Sequence, residues 1–232
     1  LNNQIINNME EKNFQKIQVA VEKELSCSAH NMDHVLRVYN LALHLAEGEN
    51  VDLDVLKASA LLHDIARVKE DNDQTGQTDH AILSAEMSVP ILKEVNFSAE
   101  KIKHVQDCII SHRYRTGNEP KTLEAKILFD ADKLDIVGAI GIARSFVWIG
   151  RNKAKIYSDV DLDNYIVENL GGKINGRIQD KTKHSPQIEY KTKLVFLAEK
   201  LNTAKAKEVC KERLEFFENF LKRLEQEIKG EI

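Results

Sequence analysis

Ala58-Ser59-Ala60-Leu61-Leu62-His63-Asp64-Ile65 carries an apolar helical run straight into a histidine and an aspartate, and there the pattern breaks. Neighbouring helical residues point about 100° apart, so this pair cannot share one helix face. At a helix end, however, both side chains can lean on a single ion placed between them. The competing reading is a cap in which the two hydrogen-bond each other where helix meets loop. The rest of the chain has to decide.

Upstream, Phe14, Ile17, Val21 and Leu25 recur at spacings of three and four, the face of an amphipathic helix from Glu11 to about Ser26. Residues before Met9 are set aside from fold reasoning as lying upstream of a plausible native start. After Ser26-Cys27-Ser28 a second helix is signalled by Val35, Val38, Leu41, Ala42 and Leu45, with His34 on its first turns, Arg37 three residues on and Gly48 as its stop. His30 can cap or support that helix. Asp52 or Asp54 caps the helix that leads to His63-Asp64.

Downstream, residues 67–78 are polar and aperiodic and read as a loop. A fourth helix starts near Asp79 or His80 and is expected to bend or end at Pro90. Ser98 caps a fifth, whose buried stripe is Ile102, Val105 and Ile109 and whose last turn closes on His112; the basic loop Arg113-Tyr114-Arg115-Thr116-Gly117 follows. From Thr122 to about Trp148 the chain reads as one long helical region in which Asp130, Asp132, Lys133, Asp135 and Arg144 sit among apolar residues and need partners. Residues 150–185, with Gly171-Gly172, Gly176 and many polar side chains, read as an irregular or short-helix insertion, able to act as a lid. Asn202-Thr203 then caps a long amphipathic helix through Phe217, Phe220, Leu221, Leu224 and Ile228. No repeat and no strand-like alternation occurs, so the class is all-α.

The 232 residues suffice for a sizeable core and are read as a single domain. With 33 basic and 37 acidic residues, the net charge of −4 argues against a general nucleic-acid or membrane-surface protein. Cys27, Cys108 and Cys210, odd in number and widely spaced, suit neither a disulfide framework nor a zinc ribbon and point to a reducing, cytoplasmic compartment. No apolar run approaches the ~18 residues of a membrane span, and the polar start is no signal peptide. No GxxxxGK loop is present, so this is not a P-loop nucleotide site.

In order, the chain offers His34, His63-Asp64, His80, His112 and Asp132, each near an expected helix end or inside an apolar helix. Imidazole and carboxylate without thiolate suit a divalent ion such as Mn, Fe, Co, Ni or Zn, and Mg less well. His34, His63, Asp64 and Asp132 together would leave positions open for water and substrate. On the residues alone, Asp130 or Asp135 can take the place of Asp132, since all three lie within two turns. His104 and His184 lack supporting neighbours and read as surface residues; His44 stays unassigned.

The blocks His30-Asn31-Met32-Asp33-His34-Val35-Leu36-Arg37-Val38, Ala60-Leu61-Leu62-His63-Asp64-Ile65, Asp79-His80-Ala81-Ile82-Leu83-Ser84-Ala85 and Phe129-Asp130-Ala131-Asp132-Lys133-Leu134-Asp135-Ile136-Val137-Gly138-Ala139-Ile140-Gly141-Ile142-Ala143-Arg144 resemble the HD-domain superfamily of metal-dependent phosphohydrolases. They are most similar to a bacterial branch that includes nucleoside-triphosphate pyrophosphohydrolases. The resemblance extends to Leu201-Asn202-Thr203-Ala204-Lys205-Ala206 and Arg213-Leu214-Glu215-Phe216-Phe217, and leaves residues 150–185 unmatched. It implies an HD-type helical bundle with an additional C-terminal helical segment: a metal-site core over about 28–148, the insertion at about 150–185, and C-terminal helices over about 187–229.

Carried over, the resemblance makes His34, His63, Asp64 and Asp132 the metal ligands. His80 and His112 match histidines that bind a second metal in some relatives and face phosphates in others, and the phosphate role is the one expected here. Asn31 stands where many relatives place an aspartate, at a position that is not a ligand. The implied reaction is hydrolysis of a phosphate ester or anhydride of a nucleotide-like small molecule by metal-bound water. In it Asp64 accepts a proton, His80 or His112 shields charge or protonates the leaving oxygen, and Arg37, Arg67, His80, His112, Lys133 and Arg144 are candidates for the phosphates. Arg113 and Arg115 join Arg67 at the expected entrance. Tyr114, Phe146, Trp148, Tyr157 and Tyr165 either stack a base or belong to the core. Two other readings stay open, a two-metal diesterase for cyclic or dinucleotide substrates and a nucleotide-sensing module without turnover. The assembly stays open too, with a homodimer as one form.

Overall fold

The computed structural model describes residues 2–25, 32–113 and 117–232, with side chains from residue 12 onward. The expected break at Ser26-Cys27-Ser28, the roles of His30 and Asn31, and Tyr114 and Arg115 lie outside the described residues. The described residues form twelve α-helices and no strand: α1 (Asn2–Glu24), α2 (Met32–Ala46), α3 (Leu53–Leu62), α4 (Arg67–Asn72), α5 (His80–Glu94), α6 (Ala99–Ser111), α7 (Leu123–Leu134), α8 (Gly138–Asn152), α9 (Leu162–Asn169), α10 (Pro186–Thr192), α11 (Leu197–Lys200) and α12 (Ala204–Lys229). Backbone contacts divide the chain into two compact units, Leu1–Asp132 and Lys133–Ile232. None of the helices is long and apolar enough to cross a membrane.

In the first unit α3 is central, packed against α1, α2 and α6, while α5 lies along α6. The helical spacings seen in the sequence become its core: Ile17 and Val21 from α1, Val35, Val38 and Ala42 from α2, Val55, Leu56 and Leu62 from α3, Val105 and Ile109 from α6 are all fully buried. Each buried Leu or Ile side chain contributes about 1.5–3 kcal/mol, which holds the ends of these helices in register. Asp52 caps α3, accepting from the backbone N–H groups of Asp54 and Val55 at 3.1 and 3.2 Å, and Ser98 caps α6 through Lys101 N–H at 3.2 Å.

Three local expectations change. The stretch after His63-Asp64 is not all loop: α4 forms first, and only then does a turn follow, in which the Asp73 carboxylate accepts from the N–H groups of Thr75, Gln77 and Thr78. Pro90 does not end α5, which runs on to Glu94; the ring costs one backbone hydrogen bond, and burial of Leu92 on the same helix offsets it. α1 begins at Asn2, earlier than the apolar stripe that revealed it.

The second unit is built on α8 and α12, which pack along each other, with α10 against both. Phe217 of α12 stacks on Tyr190 of α10, and Phe220 meets Phe146 of α8 edge to face. Thr203 caps α12 as expected, accepting from Ala206 N–H at 3.3 Å. The insertion contributes α9 and, together with Ile188 of α10, a small core of Tyr165 and Leu170. The expected single helix from Thr122 to Trp148 is two, because residues 135–137 turn and Gly138 takes φ 71°. That conformation strongly favours glycine. Gly141 is needed for a different reason: a Cβ there would run into the Ile136 backbone carbonyl.

Candidate metal centre

Four histidines of the first unit reach the centre from a helix end or first turn. His34 lies in the first turn of α2, His63 ends α3, His80 begins α5 under the cap of Asp79, and His112 ends α6. Asp64 follows His63 in the turn between α3 and α4, and Asp132 projects from the last turns of α7. All four histidines and Asp64 are buried, and Asp132 is half-buried.

These side chains form two triads of potential metal donors: His34, His63 and Asp132, and Asp64, His80 and His112. In the first, His34 Nε2 stands 3.4 Å from Asp132 Oδ1 and 3.3 Å from His63 Nε2. In the second, Asp64 Oδ1 stands 3.2 Å from His80 Nε2 and 3.6 Å from His112 Nε2. The other Asp64 oxygen, Oδ2, faces the first triad, 3.7 Å from His34 Nε2 and 3.9 Å from His63 Nε2. One carboxylate thus addresses both triads.

The outer nitrogens fix the tautomers. His63 Nδ1 donates to the Ala60 carbonyl at 2.9 Å and His112 Nδ1 to the Ile109 carbonyl at 2.5 Å. His80 Nδ1 lies 2.8 Å from Glu70 Oε2, and a carboxylate can only accept, so that nitrogen too carries its proton. The Nε2 atoms of His63, His80 and His112 therefore present lone pairs inward. His80 and His112 bring theirs within 3.3 Å of each other, an arrangement that a cation beside them would relieve. Donors about 2.1 Å from a divalent ion stand about 3–4 Å apart, and the donors of both triads have that spacing. The residues present fit a divalent metal.

Burial pushes the His63 imidazole down to about 4, against the opposing pull of Asp64, so it is neutral at neutral pH. Burial alone would raise Asp64; the imidazoles of His63, His112 and His80 around it outweigh that and hold the carboxyl well below the usual range.

Glu70 was not singled out by the sequence. It belongs to α4, accepts from Arg67 Nη1 at 2.7 Å and Arg113 Nη1 at 2.6 Å, and holds His80. Arg67 also pairs with Asp71, and Arg113 with Asp79, so both arginines serve this network. The only sequence signal was the Arg67/Glu70 spacing of three. Arg37 sits half-buried on α2 one turn after His34. Asp130 is fully buried in α7, while Asp135 in the second unit pairs with Arg144; of the three carboxylates it is Asp132 that joins the triad. Lys133 opens the second unit, half-buried. His184, expected at the surface, is buried there between Tyr165 and Glu189.

The HD-domain family model matches residues 31–136, the span that holds all six donors. The Bacillus subtilis protein YpgQ is 29% identical over 204 residues, 88% of this chain and 86% of its own. A crystal structure of YpgQ in complex with ADP superposes with a TM-score of 0.68 at 28% identity, covering 96% of this chain and 98% of that one. An HD-superfamily hydrolase from Bacillus thuringiensis superposes with a TM-score of 0.67 at 25% identity, covering 96% and 98%. Residues 31–136 therefore carry an HD domain, and the chain is similar over 96% of its length to an HD-superfamily hydrolase.

Proposed function

We propose that the chain hydrolyses a phosphate ester or anhydride of a nucleotide-like small molecule, with cleavage of a nucleoside triphosphate to monophosphate and pyrophosphate as the narrower reading. The observation that carries it is the inward convergence of three imidazole lone pairs on Asp64, a donor set for a divalent ion and not for a structural core. The ADP bound to YpgQ supports a nucleotide. The buried cysteines Cys108 and Cys210 suit a reducing, cytoplasmic setting.

When bound, a divalent ion supplies an acidified water nucleophile and a Lewis acid for a phosphoryl oxygen. The protein's part is to hold its donors in the right protonation state. His63 stays neutral and Asp64 stays ionised, for the reasons of burial and neighbouring imidazoles given above. His34, His63, Asp64 and Asp132 form the first donor set. Arg37 and Lys133 remain candidates for substrate phosphates, whereas Arg144 is already paired with Asp135. Arg67, tied to Glu70 and Asp71, contributes to phosphate binding through the field it adds to the entrance. His80, backed by the Glu70 carboxylate, has the wiring of an acid–base dyad; its neutral ring takes up a proton at Nε2, and only in that doubly protonated form can it pass one to a leaving oxygen.

A second reading, a two-ion site of the diesterase type, draws support from Asp64, whose two oxygens face the two triads. In it His80 and His112 hold the second ion in place of facing phosphate. Glu70 matters in both readings because it fixes the His80 tautomer. Glu70→Gln is expected to lower kcat/KM about 10- to 100-fold with little change in melting temperature, read by steady-state hydrolysis and circular dichroism. Unchanged turnover would remove Glu70 from the site.

The test of the reaction is a panel of nucleoside triphosphates, diphosphates, monophosphates and cyclic dinucleotides incubated with Mn, products separated by ion-exchange chromatography. Pyrophosphate release from triphosphates is the expected result. Diester cleavage would instead select the two-ion enzyme, and tight nucleotide binding without turnover under every divalent metal would leave a sensor.

A further inference from the structure

The second unit holds a cavity of about 250 Å³ that the hydrolytic reading does not use. Its walls are mostly apolar, with Trp148, Ile149 and Phe217 among them, and one side is polar, formed by His184, Glu189 and Lys193. That polar side is an ordered chain of donors. Asn169 Nδ2 donates to Tyr165 Oη at 2.7 Å, so the hydroxyl proton goes on to His184 Nδ1 at 2.8 Å. His184 then carries its proton on Nε2 and gives it to Glu189 Oε2 at 2.9 Å, while Lys193 Nζ donates to Glu189 Oε1 at 2.6 Å. Trp148 meets His184 edge to face, with ring centroids 5.4 Å apart.

Three consequences follow. First, Glu189 is an acceptor only: burial would raise its pKa, but His184 and Lys193 hold it at about 2. Secondly, the charges at the cavity are already matched, Lys193 by Glu189 and Arg144 by Asp135, so a phosphate has no surplus cation to meet. Thirdly, a slot bordered by aromatic side chains suits a flat ring. The occupant is then a neutral planar heterocycle whose edge offers N–H donors to the spare lone pairs of Glu189 and an acceptor to Lys193. Among the nucleobases, guanine alone places two donors, N1–H and the N2 amino group, side by side next to a carbonyl oxygen.

We propose that this cavity binds a guanine base, with Glu189 accepting from N1–H and N2–H and Lys193 donating to O6. The base can arrive as part of the hydrolysed nucleotide or on a separate guanine nucleotide acting as an effector, and the recognition chemistry is the same. It does not depend on the metal centre, so it stands or falls apart from the hydrolytic reading.

Trp148 is the only tryptophan of the chain, which makes its fluorescence a direct report from the cavity wall. Guanosine, which has no phosphate, is titrated into the full-length protein alongside adenosine, cytidine and uridine. Saturable quenching by guanosine is expected, about ten-fold tighter than by adenosine. Glu189→Gln should erase that preference, and Lys193→Met, whose side chain is half exposed, should weaken guanosine binding several-fold without disturbing the fold, checked by circular dichroism. Absence of saturable quenching, or equal affinities for all four nucleosides untouched by either variant, would overturn the proposal. Where the protein also turns over triphosphates, a KM raised by Glu189→Gln for GTP and not for ATP places the substrate's base in the cavity. An unchanged KM together with lost guanosine binding places a separate effector there; both outcomes uphold the site.

Discussion

Asp64→Ala is expected to remove both metal binding and turnover, with kcat/KM falling on the order of 1,000-fold, or ~4 kcal/mol of transition-state stabilisation. Most single ligands can be lost with partial retention, because the remaining donors of a site still hold the ion. Asp64 differs in that its Oδ1 lies 3.2 and 3.6 Å from the nitrogens of one triad and its Oδ2 3.7 and 3.9 Å from those of the other. Removing it takes a donor and a negative charge from both. It also leaves the His80 and His112 lone pairs 3.3 Å apart with no anion beside them to favour a bound cation. Asp64→Asn, which keeps the volume and loses the charge, should behave alike for metal while preserving more of the packing. Metal content by mass spectrometry and hydrolysis of the responsive triphosphate are the measurements, with a melting curve as the control for folding. Retention of metal and of turnover to within about ten-fold in a folded Asp64→Ala protein would remove this residue from the centre and, with it, the basis of the proposed reaction.

The centre was legible in the sequence because its residue types are expensive to bury and were found where helices end. His34, His63, His80 and His112 each sit at the first or last turn of a helix whose apolar stripe could be counted, and the all-α class followed from the same stripes. What escaped notice had no such contrast. Glu70 lies in a run of mixed charge, where a carboxylate is unremarkable until the fold brings His80 to within 2.8 Å of it. The break between α7 and α8 was hidden because the apolar character continues across it; only Gly138 and Gly141 marked the place, and spacing arguments do not weigh a single positive φ. His184 looked like a surface residue because its partner Tyr165 is nineteen positions away, in a stretch without periodicity. Long-range polar pairing leaves no local pattern, so such networks are recovered from coordinates and not from periodicity.

On the two-ion reading, His80→Ala is expected to reduce the metal content from two ions per chain to one and to lower turnover about 100-fold or more. The argument rests on the state of its ring. A histidine meant to meet phosphate would gain from a proton on the inward nitrogen, since an N–H donates to a phosphoryl oxygen. Here Glu70, clamped by Arg67 and Arg113, takes the proton on the outward side, and the inward Nε2 is left as a lone pair 3.2 Å from Asp64 Oδ1. That is the tautomer a metal ligand requires, oriented by a carboxylate behind it. His112 has the same state for a different reason, its outward proton being held by the Ile109 carbonyl. The alternative, in which both rings face substrate, predicts one ion in the wild type, one in His80→Ala, and a loss expressed mainly in KM. Counting ions in the two proteins at saturating Mn separates these outcomes without any knowledge of the substrate. A count of one in both would return His80 and His112 to the phosphate-facing role.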